Sequence, residues 1–236
     1  KLFKIFKSIS SFIAWRNSQN NNSIGFVPTM GALHQGHLSL VEKSVNRCDI
    51  TVVSIFVNQL QFGLNEDLKI YPQNIKKDLR SLEKYQIDAV FIPKADQMYE
   101  QNFSYNVSES VLSKKLEGKS RPHFFDGVAT IVCKLFNLVQ PRYVFFGIKD
   151  VQQLYIIKKM IRDLNYNIKM IACPTIREPN GLAMSSRNQY LSNAEKAEAS
   201  IIYQTLKMGK KLITEQTQSI KSIKLKMKNK LLAYNF

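Results

Sequence analysis

The sequence predicts an α/β fold: a parallel sheet with helices on both faces, followed by a smaller, mostly helical C-terminal domain. Three observations carry this. Short β-branched or aromatic runs alternate with stretches whose apolar residues recur at helical spacing. The chemically loaded segments fall directly after those runs, where loops cross the carboxyl ends of strands. Beyond Pro174 the strand-like runs cease and lysine-rich helical sequence takes over.

The chain has 236 residues, 44% hydrophobic and 22% charged, enough to bury one large core or a core plus a smaller one. This excludes collagen, wholesale disorder and a disulfide-stapled mini-protein. The longest candidate, Val52 to Val57 with Ser54 inside it, is far short of the ~18–20 residues of a membrane span. Cys48, Cys133 and Cys173 are widely separated and form no C-x-x-C. A zinc ribbon or disulfide framework is not suggested, and a cytoplasmic compartment is expected.

The elements follow in order. Residues 1–16 place Leu2, Ile5, Phe6, Ile9, Phe12 and Ile13 at helical spacing, with basic residues, serines and no acid. A transit peptide, a membrane-surface helix and a helix docked on the domain all fit, and the docked helix is adopted. Ile24–Pro28 reads as a short buried strand, and Leu38, Val41, Val45 and Cys48 as a helical stripe. Ile50–Val57 is a buried strand. Ile75, Leu79 and Leu82 mark a helix, followed by a strand over Asp88–Pro93. Val128, Ile131, Val132, Leu135 and Val139 mark a helix, with Asp126 as its expected cap. Tyr143–Phe146 is a strand, and Val151 to Leu164 a helix with Asp150 as a possible N-cap. Ile168–Cys173 is a strand ended by Pro174. Ser192-x-x-Glu195 is a capping-box pattern opening the helical tail. The expected domains are 1–177 and 178–236.

Ligands of an open parallel sheet bind beyond the carboxyl ends of its strands. Four polar segments lie there: Thr29 to His37, Asn58 to Phe62, Gly147 to Gln153, and Thr175 to Arg177. The first is the sharpest. Two of the three histidines, His34 and His37, stand three apart around Gly36. At a helix start they share one face, and free N–H groups with the helix dipole favour an anion. Gly36 lets a base or phosphate approach the backbone. The pattern suits a nucleoside triphosphate; a pair of capping or core histidines is the bland alternative. Lys149 can meet phosphate, and Asp150 can cap a helix, hold magnesium or both. Gln152 and Gln153 point different ways, so at most one of them reaches the pocket. Gln61 suits hydroxyls and a carboxylate. Met184-Ser185-Ser186-Arg187-Asn188 puts two hydroxyls and a guanidinium in one turn, an anion grip.

These stretches, together with Gly25 to Leu40, Ser54 to Asn58, Tyr71-Pro72, Gly127 to Thr130, Lys134 to Pro141 and Gly181 to Asn188, resemble the pantothenate synthetase (pantoate–β-alanine ligase) family. That family is part of the adenylyl-transferring superfamily with the HxGH motif. The resemblance runs from about Trp15 to Leu191 and implies a Rossmann-like domain. It implies a two-step reaction: pantoate attacks the α-phosphorus of ATP, then β-alanine attacks the pantoyl adenylate, giving pantothenate, AMP and pyrophosphate. By motif position, His34 and His37 stabilise the phosphates. Lys149, Ser185, Ser186 and Arg187 grip the β- and γ-phosphates as catalytic groups. Gly147, Asp150, Ile176, Met30 and Met184 contact ATP. Gln61, Gln153, Met30 and Asn58 contact pantoate. Magnesium rides on the ATP phosphates, with no protein metal site. A homodimer is implied.

There are departures. Gln59 stands where the family has proline, Gln73 where it has arginine, and Phe124 where it has histidine, with His123 one place earlier. Family members run further, so the second domain, a lid in the family, looks shortened. Two alternatives stand beside this reading: another HxGH nucleotidyltransferase, and a folded but inactive remnant. The charge of +16 raises a nucleic-acid binder,. The excess is mostly lysine, 26 against 8 arginines, which reads as biased composition rather than a phosphate-tracking groove. No specific nucleic acid and no membrane partner are expected.

Overall fold

Strand-forming runs pair as the alternation predicts. The structure, a computed structural model, describes residues 2–19, 21–216 and 218–234. The chain divides into two compact units, Lys1–Pro174 and Thr175–Phe236. In the first, β1 (Lys4–Phe6), β2 (Ile24–Thr29), β3 (Ile50–Ile55), β4 (Ala89–Phe91), β5 (Tyr143–Gly147) and β6 (Lys169–Cys173) form one sheet. Its order is β1-β4-β3-β2-β5-β6, with every neighbouring pair parallel. The helices of this unit are α1 (Ile9–Asn17), α2 (Gln35–Val45), α3 (Ile75–Leu82), α4 (Ala95–Met98), α5 (Glu117–Ser120), α6 (Phe124–Val139) and α7 (Val151–Asp163).

Successive strand residues point to opposite faces, and both faces are buried. Phe26, Val52, Phe91 and Val144 pack with Phe12 of α1, Leu135 of α6 and Ile157 of α7. Val27, Val53, Val90 and Phe145 pack with Val41 of α2 and Leu82 of α3. That two-sided burial explains why the strands read as continuous apolar runs. The chain moves outward from β2 through β3 to β4, then returns to the other side of β2 with β5. The carboxyl ends of β2 and β5 therefore flank a topological switch point, where a crevice opens.

Two expectations are corrected. Residues 1–16 are not one helix: Lys4–Phe6 adds an edge strand, with Lys4 N–H donating to Asp88 O at 2.9 Å and Phe6 O accepting from Ile92 N at 2.8 Å. Ser8 then caps α1, accepting from Ser11 N. A short apolar stripe cannot distinguish a helix from a strand leading into one, and the backbone partners along β4 decide it. Asp126 does not cap α6. That helix is entered through His123 at φ 71 without a side-chain cap, and Asp126 lies in the first turn, where its charge suits the dipole.

The second unit holds α8 (Asn193–Ala199), α9 (Ile201–Glu215) and α10 (Ile220–Leu232). The expected capping box forms: Ser192 accepts from Glu195 N at 3.2 Å and Ser192 N donates to the Glu195 carboxylate at 2.7 Å. Gly209 lets α9 meet α10, since a Cβ there would lie 2.4 Å from Met227 Sδ. Among the described residues no helix is long and apolar enough to cross a membrane.

Candidate active site

At the end of β2 the backbone leaves the sheet through two consecutive left-handed residues, Gly31 at φ 85 and Ala32 at φ 48. Thr29 starts the turn, its hydroxyl donating to Ser54 O at 2.7 Å and accepting from Gly31 N at 3.2 Å. Asp78 of α3 holds the turn's far side. Its carboxylate accepts from Leu33 N at 2.7 Å and Ala32 N at 3.0 Å, and the residue is 2% exposed. Burial pushes this carboxyl above the usual range, against the pull of the Leu33 and Ala32 N–H groups. Asp78 lies more than forty positions from the turn it holds, so local sequence carries no signal for it.

The turn delivers His34 to the N-cap of α2. His34 Nδ1 accepts from Gly36 N at 3.1 Å, and His37 Nδ1 takes the His34 N–H at 3.4 Å. The rings stand 4.1 Å apart, centroid to centroid. Both histidines cap the helix, as the bland reading expects. Because each Nδ1 accepts, each neutral ring carries its proton on Nε2 and presents an N–H donor. Both rings stay neutral. Burial, then the Lys149 charge, lowers His34 to about 4. Burial, then His34, then Lys149, lowers His37 to about 3. The histidines are dipolar donors; net positive charge at this end comes from Lys149.

A pH dependence follows. Unfolded histidines take up protons near pH 6.5, while the folded rings resist until about 4 and about 3. The unfolded state binds more protons in that window, so stability drops as pH falls from 6.5. The melting temperature is expected to decline already between pH 6.5 and 5, before carboxylates titrate, and to decline less in His37→Asn. A flat profile there in the unaltered protein would contradict neutral, buried rings.

A cavity of about 200 Å³ lies at the switch point. Met30 and His37 from the β2 side, Asn58 and Gln61 from the β3 side, and Gly147, Asp150 and Gln153 from the β5 side all line it. A Cβ at Gly147 would meet nothing within 4 Å, so glycine here widens the cavity rather than relieving packing. Asp150 occupies the N-cap position of α7 but makes no side-chain cap bond. Gln153 reaches the cavity, whereas Gln152 turns away to bond Leu112 O, Lys115 O and Glu117 N. Tyr71, buried beside Phe62, also lines the cavity; sequence reasoning assigned it no role. Phe124, in the place of the family's histidine, lies 3.7 Å under the Arg121 guanidinium, and His123 is exposed.

The remaining candidates belong to the second unit. Arg177 bridges to Ala183, and Met184 N donates to Ile176 O at 3.0 Å, so Ile176 and Met184 sit paired in a hairpin. Ser185 caps the following 3-10 turn by accepting from Arg187 N at 3.3 Å. Ser186 is buried and Arg187 exposed.

The sequence profile described as Pantoate-beta-alanine ligase matches residues 4–235. The chain belongs to the pantoate–β-alanine ligase family. A pantothenate synthetase of Pseudothermotoga lettingae is 49% identical over 219 residues, covering 93% of this chain and 76% of that protein. The crystal structure of pantothenate synthetase from Thermus thermophilus superposes with a TM-score of 0.92 at 38% identity, covering 98% of this chain and 83% of that one. A second structure, pantoate–β-alanine ligase from Francisella tularensis complexed with β-γ ATP and β-alanine, gives a TM-score of 0.86 at 36% identity, covering 97% and 86%. The parallel sheet and helical second unit are thus those of the ligase family.

Proposed function

We propose that this chain condenses pantoate with β-alanine at the expense of ATP, through a pantoyl-adenylate intermediate. One observation carries the site assignment: neutral amides from Gln61 and Gln153 share a cavity wall with His37 and Asp150, while Asn58, expected to contact pantoate, has its amide engaged by Gly127, Gln61 and Tyr99 and stands behind Gln61. Uncharged donors suit a small hydroxy acid, and the imidazole end suits a phosphate. Met30, Gly147 and Asp150 are assigned to ATP, with Ile176 and Met184 assigned by motif position. Ser185, Ser186 and Arg187 are assigned to the β- and γ-phosphates on the same ground. The domain roles, expected over 1–177 for nucleotide and acid and 178–236 as lid, belong to this proposal, with the compact units themselves dividing three residues earlier, after Pro174.

Adenylylation requires alignment and stabilisation of growing charge, not a protein nucleophile. A pantoate carboxylate oxygen attacks the α-phosphorus and pyrophosphate departs. The Nε2–H groups of His34 and His37 donate to phosphate oxygens without releasing protons, and Lys149 supplies the charge. The β-alanine amine then attacks the acyl carbon, and AMP leaves. The apolar walls, including Phe56, Val128 and Phe146, keep water from the adenylate. Magnesium carried on the triphosphate would screen phosphate charge, and Asp150, a carboxylate on the cavity wall, would be the residue to hold it,. A cytoplasmic homodimer is part of the same reading; the cysteines are free thiols.

Labelled pyrophosphate is expected to enter ATP when pantoate is present, and not with nucleotide or phosphorylated acceptors. Exchange without pantoate dependence would overturn the reading. Gln61→Ala is expected to raise the pantoate KM by roughly tenfold, about 1.4 kcal/mol, with a smaller effect on the ATP KM. Equal changes in both constants would remove Gln61 from the acid site.

A further inference from the structure

Asn58 is 1% exposed, so the orientation of its amide must be settled by its neighbours. One neighbour fixes it. The Gly127 carbonyl lies 3.0 Å from Asn58 Nδ2, and a carbonyl can only accept. The amide nitrogen must therefore face Gly127, which leaves Oδ1 facing the Tyr99 hydroxyl at 2.7 Å. Tyr99 must donate. The second Nδ2 hydrogen then goes to Gln61 Oε1 at 3.1 Å, which leaves Gln61 Nε2 toward Met30 Sδ at 3.0 Å, at the cavity wall.

We propose that Tyr99 is a positioning residue whose hydroxyl, acting through Asn58, makes Gln61 present its NH₂ rather than its oxygen to the substrate acid. This rests on the reading of Gln61 as a pantoate contact. The direction of the chain is anchored by backbone at one end: a Cβ on Gly127 would lie 2.2 Å from Leu60 O and 2.7 Å from Gln61 N. Glycine there lets the first turn of α6 touch the 59–61 turn, and so brings the Gly127 carbonyl within reach of Asn58. The other end is held by aromatic packing. The Tyr99 ring meets Phe103 edge-on at 5.1 Å and Phe56 at 6.2 Å. Burial also pushes the Tyr99 phenol above its ordinary range, which keeps it protonated and donating. An acceptor-rich ligand, carboxylate plus hydroxyls, is what a donor-facing Gln61 selects.

Tyr99→Phe removes the hydroxyl and keeps the ring. It is expected to raise the pantoate KM about tenfold, with the ATP KM within about twofold and kcat within about threefold, as for loss of one oriented hydrogen bond. In a Gln61→Ala background the same change is expected to add less than about twofold, since the group it orients is gone. Equal effects of Tyr99→Phe on both substrates, or full additivity with Gln61→Ala, would each overturn the proposal. Gln61→Ala without effect on the pantoate KM would sink the acid-site reading and the relay together. An effective Gln61→Ala beside a silent Tyr99→Phe would sink the relay alone. A wild-type measurement covers a variant that fails to fold: the Gln61 side-chain NH₂ signals are expected to shift on titration with pantoate, and unmoved signals would refute a donor-facing amide.

Discussion

Lys149→Ala is expected to slow pantoate-dependent pyrophosphate exchange by ~10²–10³, the typical cost of removing a group aimed at transition-state charge. The argument starts from the histidines. Their pKa values of about 4 and about 3 mean that neither ring brings a positive charge to the phosphates at neutral pH. Lys149, in the turn between β5 and α7, lowers both of them through its charge, which places that charge within electrostatic reach of both imidazoles. Removing it should lift the pKa of both rings, a change visible by NMR titration in the same variant. Retained melting behaviour with raised histidine pKa values and lost exchange would identify an electrostatic role. Exchange near the wild-type rate would remove Lys149 from the proposed machinery.

Asp78→Ala is expected to damage both fold and reaction. Two backbone N–H groups, of Ala32 and Leu33, lose charged acceptors in one change. Hydrogen bonds to charged groups contribute about 1.5–3 kcal/mol each, offset in part because the carboxylate no longer has to be buried. A net loss of about 2–3 kcal/mol would lower the melting temperature by roughly 5–10 °C for a chain of this size. Exchange should fall further than the folded fraction does, because the turn at Gly31 and Ala32 sets where His34 enters α2. Asp78→Asn keeps the shape and one acceptor oxygen and should fall between. A variant with full exchange activity per folded molecule would show that the turn holds its form without Asp78.

The parts of the fold that could be read in advance are those where one residue's chemistry suffices. β2, β3 and β5 are buried on both faces, so their apolar runs announced them, and the polar segments after them marked the switch point. The parts that could not be read depend on distant partners. β1 is three residues long and exists through its pairing with β4; its apolar residues happen to continue the helical stripe of α1. An aspartate within an amphipathic helix such as α3 looks like a solvated side chain, yet Asp78 is buried against a turn in another part of the chain. Tyr99 gave no hint either, because its significance comes from the Gly127 carbonyl, which orients an amide between them. The capping roles of His34 and His37 were legible as an alternative to phosphate contact. That each capping ring keeps an Nε2–H donor required the tautomers.

The histidine capping box has a further consequence for how α2 meets an anion. Helix N-termini usually offer bare amides, but here Gly36 N–H and His34 N–H are already engaged by imidazole nitrogens. The donor each ring retains is its Nε2–H, on the far side of the imidazole from the amide it caps. Under the proposed function the rings act as rigid extenders, offering Nε2–H to a phosphate in place of the amides they engage. Asparagine at position 34 would still satisfy the amide but would be too short to offer a donor at that distance, so the helix would remain intact with its reach removed.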